Sequence, residues 1–238
     1  MLLRVPAVLS RQGLADMVQG LHSAPWQEVV GAARGPMALL TQHQRLADGD
    51  ATRRLQQRLL DAVRASPLVD VAARPRFFSR PVIFRYSGQA THFGEWLATQ
   101  TAPAEPDAPN VGRAVRTDFG CTLMLSAPAD YDGGAMVLHD AFGTQRLKPP
   151  AGEMVLLSGA SPAATRSNPQ RIDAVTRGAR IAAFFWIHSA IESSEQRRLL
   201  FDIDGHLARL RQTLGDDDPA LAGLTGNYLQ LLEFWRER

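Results

Sequence analysis

The strongest constraint on the fold is a change near residue 77, where helical periodicity gives way to short β-rich runs. Residues that favour turns separate these runs, as in Ala127–Gly134 and in the pair Phe142-Gly143. This alternation is typical of an antiparallel sandwich or barrel. The predicted strands are Pro81–Tyr86, Thr117–Ser126, Ala135–His139, Gln145–Leu147, Glu153–Leu157 and Arg180–His188.

Helical patterns lie on both sides of this β-rich part. Ser10 is placed to cap a helix over Arg11–His22, and a second apolar stripe predicts a helix over Ala51–Ala65. After His188, the sequence Ser193-Ser194-Glu195-Gln196 opens another helix, and a final helix is expected near Pro219–Arg236. The predicted regions are an N-terminal strand and helix region packed on the core (1–76), a β core (77–190) and a C-terminal helical extension (191–238).

One segment inside the β-rich part is predicted to be a loop. Thr101–Gly112 contains Pro103, Pro106 and Pro109, and proline lacks the N–H group that a central strand donates. We therefore expect an exposed connection here rather than a strand.

Composition excludes several classes of protein. With 26 basic and 24 acidic residues, the chain has no charge excess that would favour a nucleic-acid partner. It has neither a signal-peptide pattern nor eighteen consecutive apolar residues, so we expect a cytoplasmic protein without a membrane partner. Its lone cysteine, Cys121, lies in an apolar run and is predicted to be a buried, inert thiol.

Several phrases of the sequence resemble the PKHD-type hydroxylases, which are prolyl-4-hydroxylase-like members of the Fe(II)/2-oxoglutarate oxygenases. The resemblance covers essentially the whole chain. It implies an α+β fold, mainly β in its core, with a double-stranded β-helix (jelly roll, cupin-like) and flanking N- and C-terminal helices. The phrases are Phe84–Gly88, Val115–Asp118, Asp130–Gly134, Pro150–Glu153, Val175–Arg180, Phe184–Ile187, Gln196–Asp202 and Leu224–Tyr228.

The resemblance also implies an iron site, which such enzymes build from a His-x-Asp motif and a distal histidine. Reading forward from Tyr86 without a gap, the motif falls on Glu95-Trp96-Leu97; a shift by one residue gives Trp96-Leu97-Ala98. Reading backward from Val175, the distal histidine falls on Gln170. By this resemblance Glu95, Leu97 and Gln170 are degenerate ligand positions, and the usual triad is missing.

The anchor for the co-substrate is retained. Arg180 stands ten residues after Gln170, where the family has the arginine that pairs with the far carboxylate of 2-oxoglutarate. A guanidinium group suits a carboxylate because it can donate two parallel hydrogen bonds. Two interpretations stay open, namely an oxoacid anchor or a buried arginine paired with an internal Asp or Glu.

A metal site could also have moved. His92 and Glu95 could contribute to a remodelled iron or zinc site, although a third ligand is needed. His139-Asp140 is a second candidate pair. Trp96 could fill the vacated iron cavity or pack under a loop. For the remaining histidines ordinary polar roles are expected; these are His22, His43, His188 and His206.

Three functional hypotheses follow. The first is a pseudo-oxygenase that binds an oxoacid, another small molecule or a peptide, or that forms a hetero-oligomer with an active relative. The second is an active 2-oxoglutarate-dependent oxygenase with a remodelled site, in which the binding of iron is the doubtful step. The third is a structural homodimer formed through the stripe Leu199, Leu200, Ile203 and Leu207, which could instead pack on the chain's own β core.

Overall fold

A computed structural model gives the fold of residues 2–31, 41–88, 93–96, 101–103, 114–140, 143–158 and 170–236, and the description is confined to them. Within these ranges, no helix combines the length and the apolar character needed to cross a membrane.

Five α-helices are found among the described residues. In α1, the Ser10 hydroxyl accepts a hydrogen bond from the Gly13 backbone N–H at 3.0 Å, so the predicted cap is confirmed. The predicted stripe of the second helix is also buried, whereas the third helix was not predicted. The helices are α1 Arg11–Ser23, α2 Asp50–Arg64, α3 Pro67–Ala73, α4 Ser194–Leu214 and α5 Pro219–Trp235.

The described strands form a large main sheet, a four-stranded small sheet and a two-stranded ribbon. The main sheet comprises β1 Leu2–Val5, β2 Trp26–Gly31, β3 Thr41–Leu46, β4 Pro75–Phe78, β5 Val82–Ser87, β9 Phe119–Met124, β10 Tyr131–Gly133, β13 Met154–Ser158 and β15 Val175–Ser189. The small sheet comprises β6 Phe93–Trp96, β11 Met136–Asp140, β12 Gly143–Leu147 and β14 Gln170–Ile172, and the ribbon comprises β7 Thr101–Pro103 and β8 Ala114–Arg116.

The main sheet is organised around β15, a 15-residue strand. It pairs with β5 and β9 along its length, and with β10 and β4 at its two ends. The N-terminal region contributes strands to the same sheet, since β1 pairs with β13, and β3 pairs with β5. The N-terminal region is therefore built into the sheet as well as packed on it.

The loop prediction for Thr101–Gly112 is wrong at its beginning. Thr101–Pro103 forms a strand that pairs with Ala114–Arg116. Pro103 is tolerated because it is the last residue of a strand in an isolated ribbon, where a missing N–H costs little. Residues 104–113 lie outside the described part of the chain.

The two faces of the main sheet have different surroundings. One face is covered by helices: Phe185 and Ile187 of β15 join Leu59 and Leu60 of α2 in the largest apolar cluster. Cys121 lies in this cluster with no exposed surface, and burial raises the pKa of its thiol well above the ordinary value. The prediction of an inert cysteine is confirmed.

The opposite face of the main sheet, called here the inner face, looks toward the small sheet. Val155 and Leu157 of β13 pack there against Met136 and Leu138 of β11 and Ile172 of β14. Because successive side chains of a strand alternate between faces, Ala182 of β15 also belongs to the inner face.

The C-terminal helices form a hairpin whose apolar stripe is satisfied within the chain. Leu200 and Leu207 of α4 pack against Leu221 and Tyr228 of α5, with Ile203 at the edge of the cluster. The expectation that this stripe packs on the chain's own β core is wrong about the partner: these residues pack within the chain, but on α5 and Ile191. Leu199 is exposed.

Two arginines attach this hairpin to the rest of the molecule. Arg197 of α4 lies 3.5 Å from the Asp118 carboxylate and donates hydrogen bonds to the carbonyls of Ile191 and Glu192, both at 2.7 Å. Arg74 follows the last residue of α3, and its backbone lies in the left-handed region (φ 45°). Its side chain donates a hydrogen bond to the Tyr228 hydroxyl of α5. Both contacts are long-range in sequence and fix where the hairpin lies.

Candidate ligand-binding site

The inner face carries a small cluster of aromatic and apolar side chains around one arginine. Tyr86 of β5, Met124 of β9, Tyr131 of β10 and Ala182 of β15 form the cluster. Arg180 lies directly opposite Tyr86 in the β5–β15 pair and two residues from Ala182, so it points into the same layer.

Arg180 is buried, and no acidic side chain of the described residues pairs with it. Only 2% of its surface is exposed. Its guanidinium lies over the Tyr86 ring, 5.7 Å from the centroid, and Nη2 lies 3.5 Å from the Met124 Sδ atom. The Nε atom has no hydrogen-bond partner, and in the part of the chain that the structure describes no Asp or Glu forms an ion pair with this arginine. Burial lowers its pKa, and the two neighbouring tyrosines oppose that shift.

Tyr131 supplies a second unsatisfied polar atom. Its side chain has no exposed surface, and its hydroxyl makes no hydrogen bond of good geometry among the described residues, although a hydrogen-bonding contact with the Arg180 side chain acts to lower its pKa. Burial raises the pKa of Tyr131, and the positive charge of Arg180 works against that rise. Burial also raises the pKa of Tyr86, to about 12. Both phenols are therefore neutral hydrogen-bond donors at physiological pH.

A second cation stands on the other side of Tyr131. The Lys148 ammonium donates a hydrogen bond to the Tyr131 carbonyl at 2.6 Å and lies 4.2 Å from the centre of its ring. Lys148 is the only lysine of the chain. Lys148 thus adds a second positive charge beside Tyr131.

Two glycines hold Tyr131 beside Arg180. A Cβ atom at Gly133 would lie 1.9 Å from the Ala174 carbonyl oxygen, and one at Gly178 would lie 2.0 Å from that of Asp130. Both glycines have positive φ angles, 71° and 72°. The motifs that contain them are therefore explained by the close approach of β10 to β15.

His43 is a site residue that sequence reasoning missed. Its ring centroid lies 5.2 Å from that of Phe84 and 5.5 Å from that of Tyr86. Burial lowers its pKa, Glu28 opposes the shift and Arg45 reinforces it. The residue reaches the inner face because β3 pairs with β5, and no local pattern around residue 43 indicates that pairing.

The backbone register places Gln170, one of the degenerate ligand positions, opposite Trp96, which takes a ligand position only in the reading shifted by one residue. Gln170 of β14 lies opposite Trp96 of β6 and opposite Leu138 of β11. Directly opposed residues of an antiparallel pair occupy the same face, and Leu138 belongs to the inner layer. Trp96 and Gln170 therefore occupy inner-layer positions, and Glu95 occupies the alternate position of its strand. His92 and Leu97 lie outside the described residues.

The described histidines do not form a metal site. Among the residues whose side chains the structure describes, no three His, Cys, Asp or Glu residues converge on one point. His188 accepts a hydrogen bond from the Arg116 backbone N–H at 3.4 Å, and the His206 ring contacts Arg209 at 2.6 Å. His22 is exposed at the end of α1, and His139 lies in β11 opposite Thr144.

Comparisons with known proteins agree with this architecture. The family model for the PKHD-type hydroxylase C-terminal domain matches residues 195–237. A PKHD-type hydroxylase of Variovorax paradoxus (strain S110) is 40% identical over 236 residues, and the match covers 99% of each chain. One from Polaromonas sp. (strain JS666) is 38% identical over 240 residues, covering both chains completely.

A solved structure shows the same fold. The crystal structure of an oxidoreductase of the 2OG-Fe(II) oxygenase family from Burkholderia pseudomallei matches with a TM-score of 0.51 and 17% sequence identity. The match covers 78% of this chain and 82% of that one. The expected fold, a jelly-roll core with flanking helices, is confirmed.

Proposed function

Because the chain belongs to the PKHD-type hydroxylase family, we propose that it is a pseudo-oxygenase that retains the carboxylate anchor and has lost the iron site. It acts by binding: an oxoacid or a related carboxylate occupies the inner layer at Arg180, either as the final role of the protein or as part of a complex with an active relative. The observation that carries this proposal is that the guanidinium of Arg180 is buried and has no Asp or Glu beside it among the described residues.

The argument for a carboxylate ligand is electrostatic. A buried charge without a partner is costly, and natural proteins almost always pair it. Arg180 has no acidic partner among the described residues, and its Nε–H group lacks an acceptor. The Tyr131 hydroxyl lies within hydrogen-bonding reach of the Arg180 side chain, but a guanidinium can only donate, so the O–H group is still available to a ligand. A carboxylate can accept hydrogen bonds from both groups and neutralise the guanidinium. This favours the oxoacid interpretation over an internal ion pair.

The argument against the usual iron site rests on the residue types at the ligand positions. Iron(II) in this family needs two imidazoles and one carboxylate on one face of the metal. Gln170 takes the place of the distal histidine, and Trp96, which lies opposite it, takes the place of the first histidine in the shifted reading. Neither an indole nor a neutral amide replaces imidazole as a ligand. The residues present do not fit the metal, so we derive no oxidative step for this protein.

The decisive experiment is a calorimetric titration of metal-stripped protein with 2-oxoglutarate, first alone and then with manganese(II) as a redox-stable substitute for iron(II). We expect saturable binding of the oxoacid with an affinity that manganese does not change, since Arg180 and Tyr131 hold the carboxylate. We also expect no one-to-one binding of manganese by itself.

Matched variants identify the anchor. Arg180→Met should abolish oxoacid binding, because it removes the only buried cation of the cluster. Arg177→Met is the control: Arg177 lies on the same strand but is exposed and paired with Asp132 at 2.7 Å, so binding should not change. Equal losses in both variants would argue against a specific anchor.

A different outcome would favour the active alternative. Tight one-to-one binding of manganese, lost in His92→Ala and Glu95→Gln, would indicate a remodelled metal site and contradict the pseudo-oxygenase. Turnover of 2-oxoglutarate to succinate with iron(II) would then be the next measurement.

A further inference from the structure

A wall of uncharged side chains extends along the inner face from Arg180. Ala182, Phe184 and Trp186 follow Arg180 on β15 at every second position, so they share its face. The neighbouring strands place further uncharged residues directly opposite them. The wall, as we call this set, consists of Val82 and Phe84 of β5, Gly120, Thr122 and Met124 of β9, and Ala182, Phe184 and Trp186 of β15.

Part of the wall is accessible, although its strands lie inside the main sheet. Both β5 and β15 are paired along their two edges, yet Phe84 and Phe184 are only half-buried. Because neighbouring strands cover the edges, the accessible part of these side chains is on the inner side. Ala182 lies opposite Phe84 and contributes only a methyl group. The wall therefore leaves room beside Arg180, and Phe184 lies about 13 Å along the strand from it.

Two aromatic rings form the far part of the wall. The Phe184 and Trp186 rings meet edge to face, with their centroids 5.1 Å apart. A Cβ atom at Gly120 would lie 3.1 Å from the Trp186 ring and 3.6 Å from the Phe184 ring, so the glycine makes room for both. Aromatic edges and faces of this kind pack well against another ring.

The wall offers no charged partner for a second carboxylate. Of the cations nearby, Lys148 lies on the other side of Tyr131, and Arg45 of β3 lies opposite Phe84 but is exposed. A carboxylate moved from water against an apolar surface loses its hydration without gaining an ion pair. A methylene chain or a ring gains from the same move, since its apolar surface leaves water. The anchor and the wall together therefore suit a ligand that is charged at one end only.

We propose that the site at Arg180 binds monocarboxylates with an apolar body, of the alkyl or arylalkyl class, in preference to dicarboxylates such as 2-oxoglutarate. This inference rests on the proposed function, because it uses the same carboxylate anchor. The ligand carboxylate pairs with the Arg180 guanidinium and accepts a hydrogen bond from the Tyr131 hydroxyl. The apolar body lies along Ala182 toward Phe184.

A matched pair of acids tests the preference on the unaltered, metal-stripped protein. Pentanoate and glutarate have carbon chains of equal length and differ at one end, which is a methyl group in the first and a carboxylate in the second. In calorimetric titrations we expect pentanoate to bind roughly tenfold more tightly than glutarate. 4-Phenylbutanoate, whose ring extends farther along the wall, should bind roughly tenfold more tightly again.

Two variants place the apolar body on the wall. Phe184→Leu removes the ring and keeps an apolar side chain, so it should weaken 4-phenylbutanoate binding roughly fivefold and leave pentanoate binding nearly unchanged. Phe201→Leu is the matched control, because Phe201 of α4 is also half-buried but packs against the helix-covered cluster on the other face of the sheet. Neither affinity should change in that variant.

The outcomes separate this preference from the anchor itself. Tighter binding of glutarate than of pentanoate, abolished by Arg180→Met, would overturn the preference and leave the carboxylate anchor in place. Equal losses of 4-phenylbutanoate affinity in Phe184→Leu and Phe201→Leu would overturn the position of the body on the wall. If Arg180→Met changes the binding of none of the three acids, both the anchor and the preference are contradicted.

Discussion

Arg197 and Arg180 are both almost completely buried, with 5% and 2% of their surfaces exposed, yet their surroundings differ in one respect. At the junction of α4 and β9, Arg197 meets the Asp118 carboxylate, two backbone carbonyls and the Phe119 ring. On the inner face, Arg180 meets tyrosines and a methionine. The first arginine joins two parts of the fold, and the surroundings of the second fit the carboxylate anchor that we propose.

This difference follows from what each arginine must do. A group that joins two parts of a fold needs its partner within the chain, because the contact must exist whenever the protein is folded. A group that binds a ligand must leave hydrogen-bonding capacity unused, and the fold tolerates the cost. The pairing of each buried arginine is therefore the feature on which the proposed difference in role depends.

The largest effect should come from breaking the structural tie. Arg197→Met leaves the buried Asp118 carboxylate with less compensation and removes the donor to two carbonyls, so we expect a loss of about 4 kcal/mol in the free energy of unfolding. Urea unfolding followed by tryptophan fluorescence measures it. Arg198→Met, at an exposed neighbour paired with Asp202, should change stability by less than about 0.5 kcal/mol. Similar changes in the free energy of unfolding for the two variants would contradict a structural role for Arg197.

A slightly smaller loss in the free energy of unfolding is expected at Gly178, where the close approach of β10 to β15 holds Tyr131 beside Arg180. Gly178→Ala places a Cβ atom against the Asp130 carbonyl at a positive φ angle and should cost about 3 kcal/mol. Gly215→Ala is the control, because Gly215 has a positive φ angle in open space and should cost only about 1 kcal/mol. The comparison uses thermal and urea unfolding of both variants. If the two losses are equal, close packing does not position Tyr131.

The pH dependence of stability should report on the inner face. The folded-state pKa of Tyr86, about 12, lies above the value of about 10 for an unfolded chain. The contribution of neutral Tyr86 to the free energy of unfolding is therefore complete below pH 10, and roughly 3 kcal/mol of it is lost as the pH rises toward 12. Tyr86→Phe should reduce the alkaline loss by that amount. Unfolding curves between pH 9 and pH 12 test it, and identical slopes for both proteins would contradict the assignment.

The smallest expected change is a gain, rather than a loss, in the free energy of unfolding. Arg180→Met removes an unpaired buried charge and keeps an apolar chain of similar size, so the ligand-free protein should gain about 1 kcal/mol. Arg197→Met is expected to lower the free energy of unfolding instead. The two variants together therefore test the comparison directly. Destabilisation of more than about 2 kcal/mol by Arg180→Met would indicate that Arg180 is paired with a residue of the same chain.

The sequence by itself determined the local elements of this protein. The Ser10 cap, the apolar stripe of α2 and the strand runs after residue 77 depend on neighbours within a few positions, and all of them are present. The α4 and α5 helices also begin within one residue of their predicted starts. The resemblance, carried by short phrases in a fixed order, identified the family and the fold.

The tertiary structure decided which of these elements meet. The position of His43 beside Tyr86, the opposition of Trp96 and Gln170, and the absence of a described acid beside Arg180 all depend on strand pairings between distant segments. The alternating pattern of a strand predicts which of its residues share a face. It does not predict which strand lies beside it or in which register, because these are fixed by packing over the whole sheet. The two buried arginines look alike in the sequence, and only their surroundings in the folded chain distinguish them.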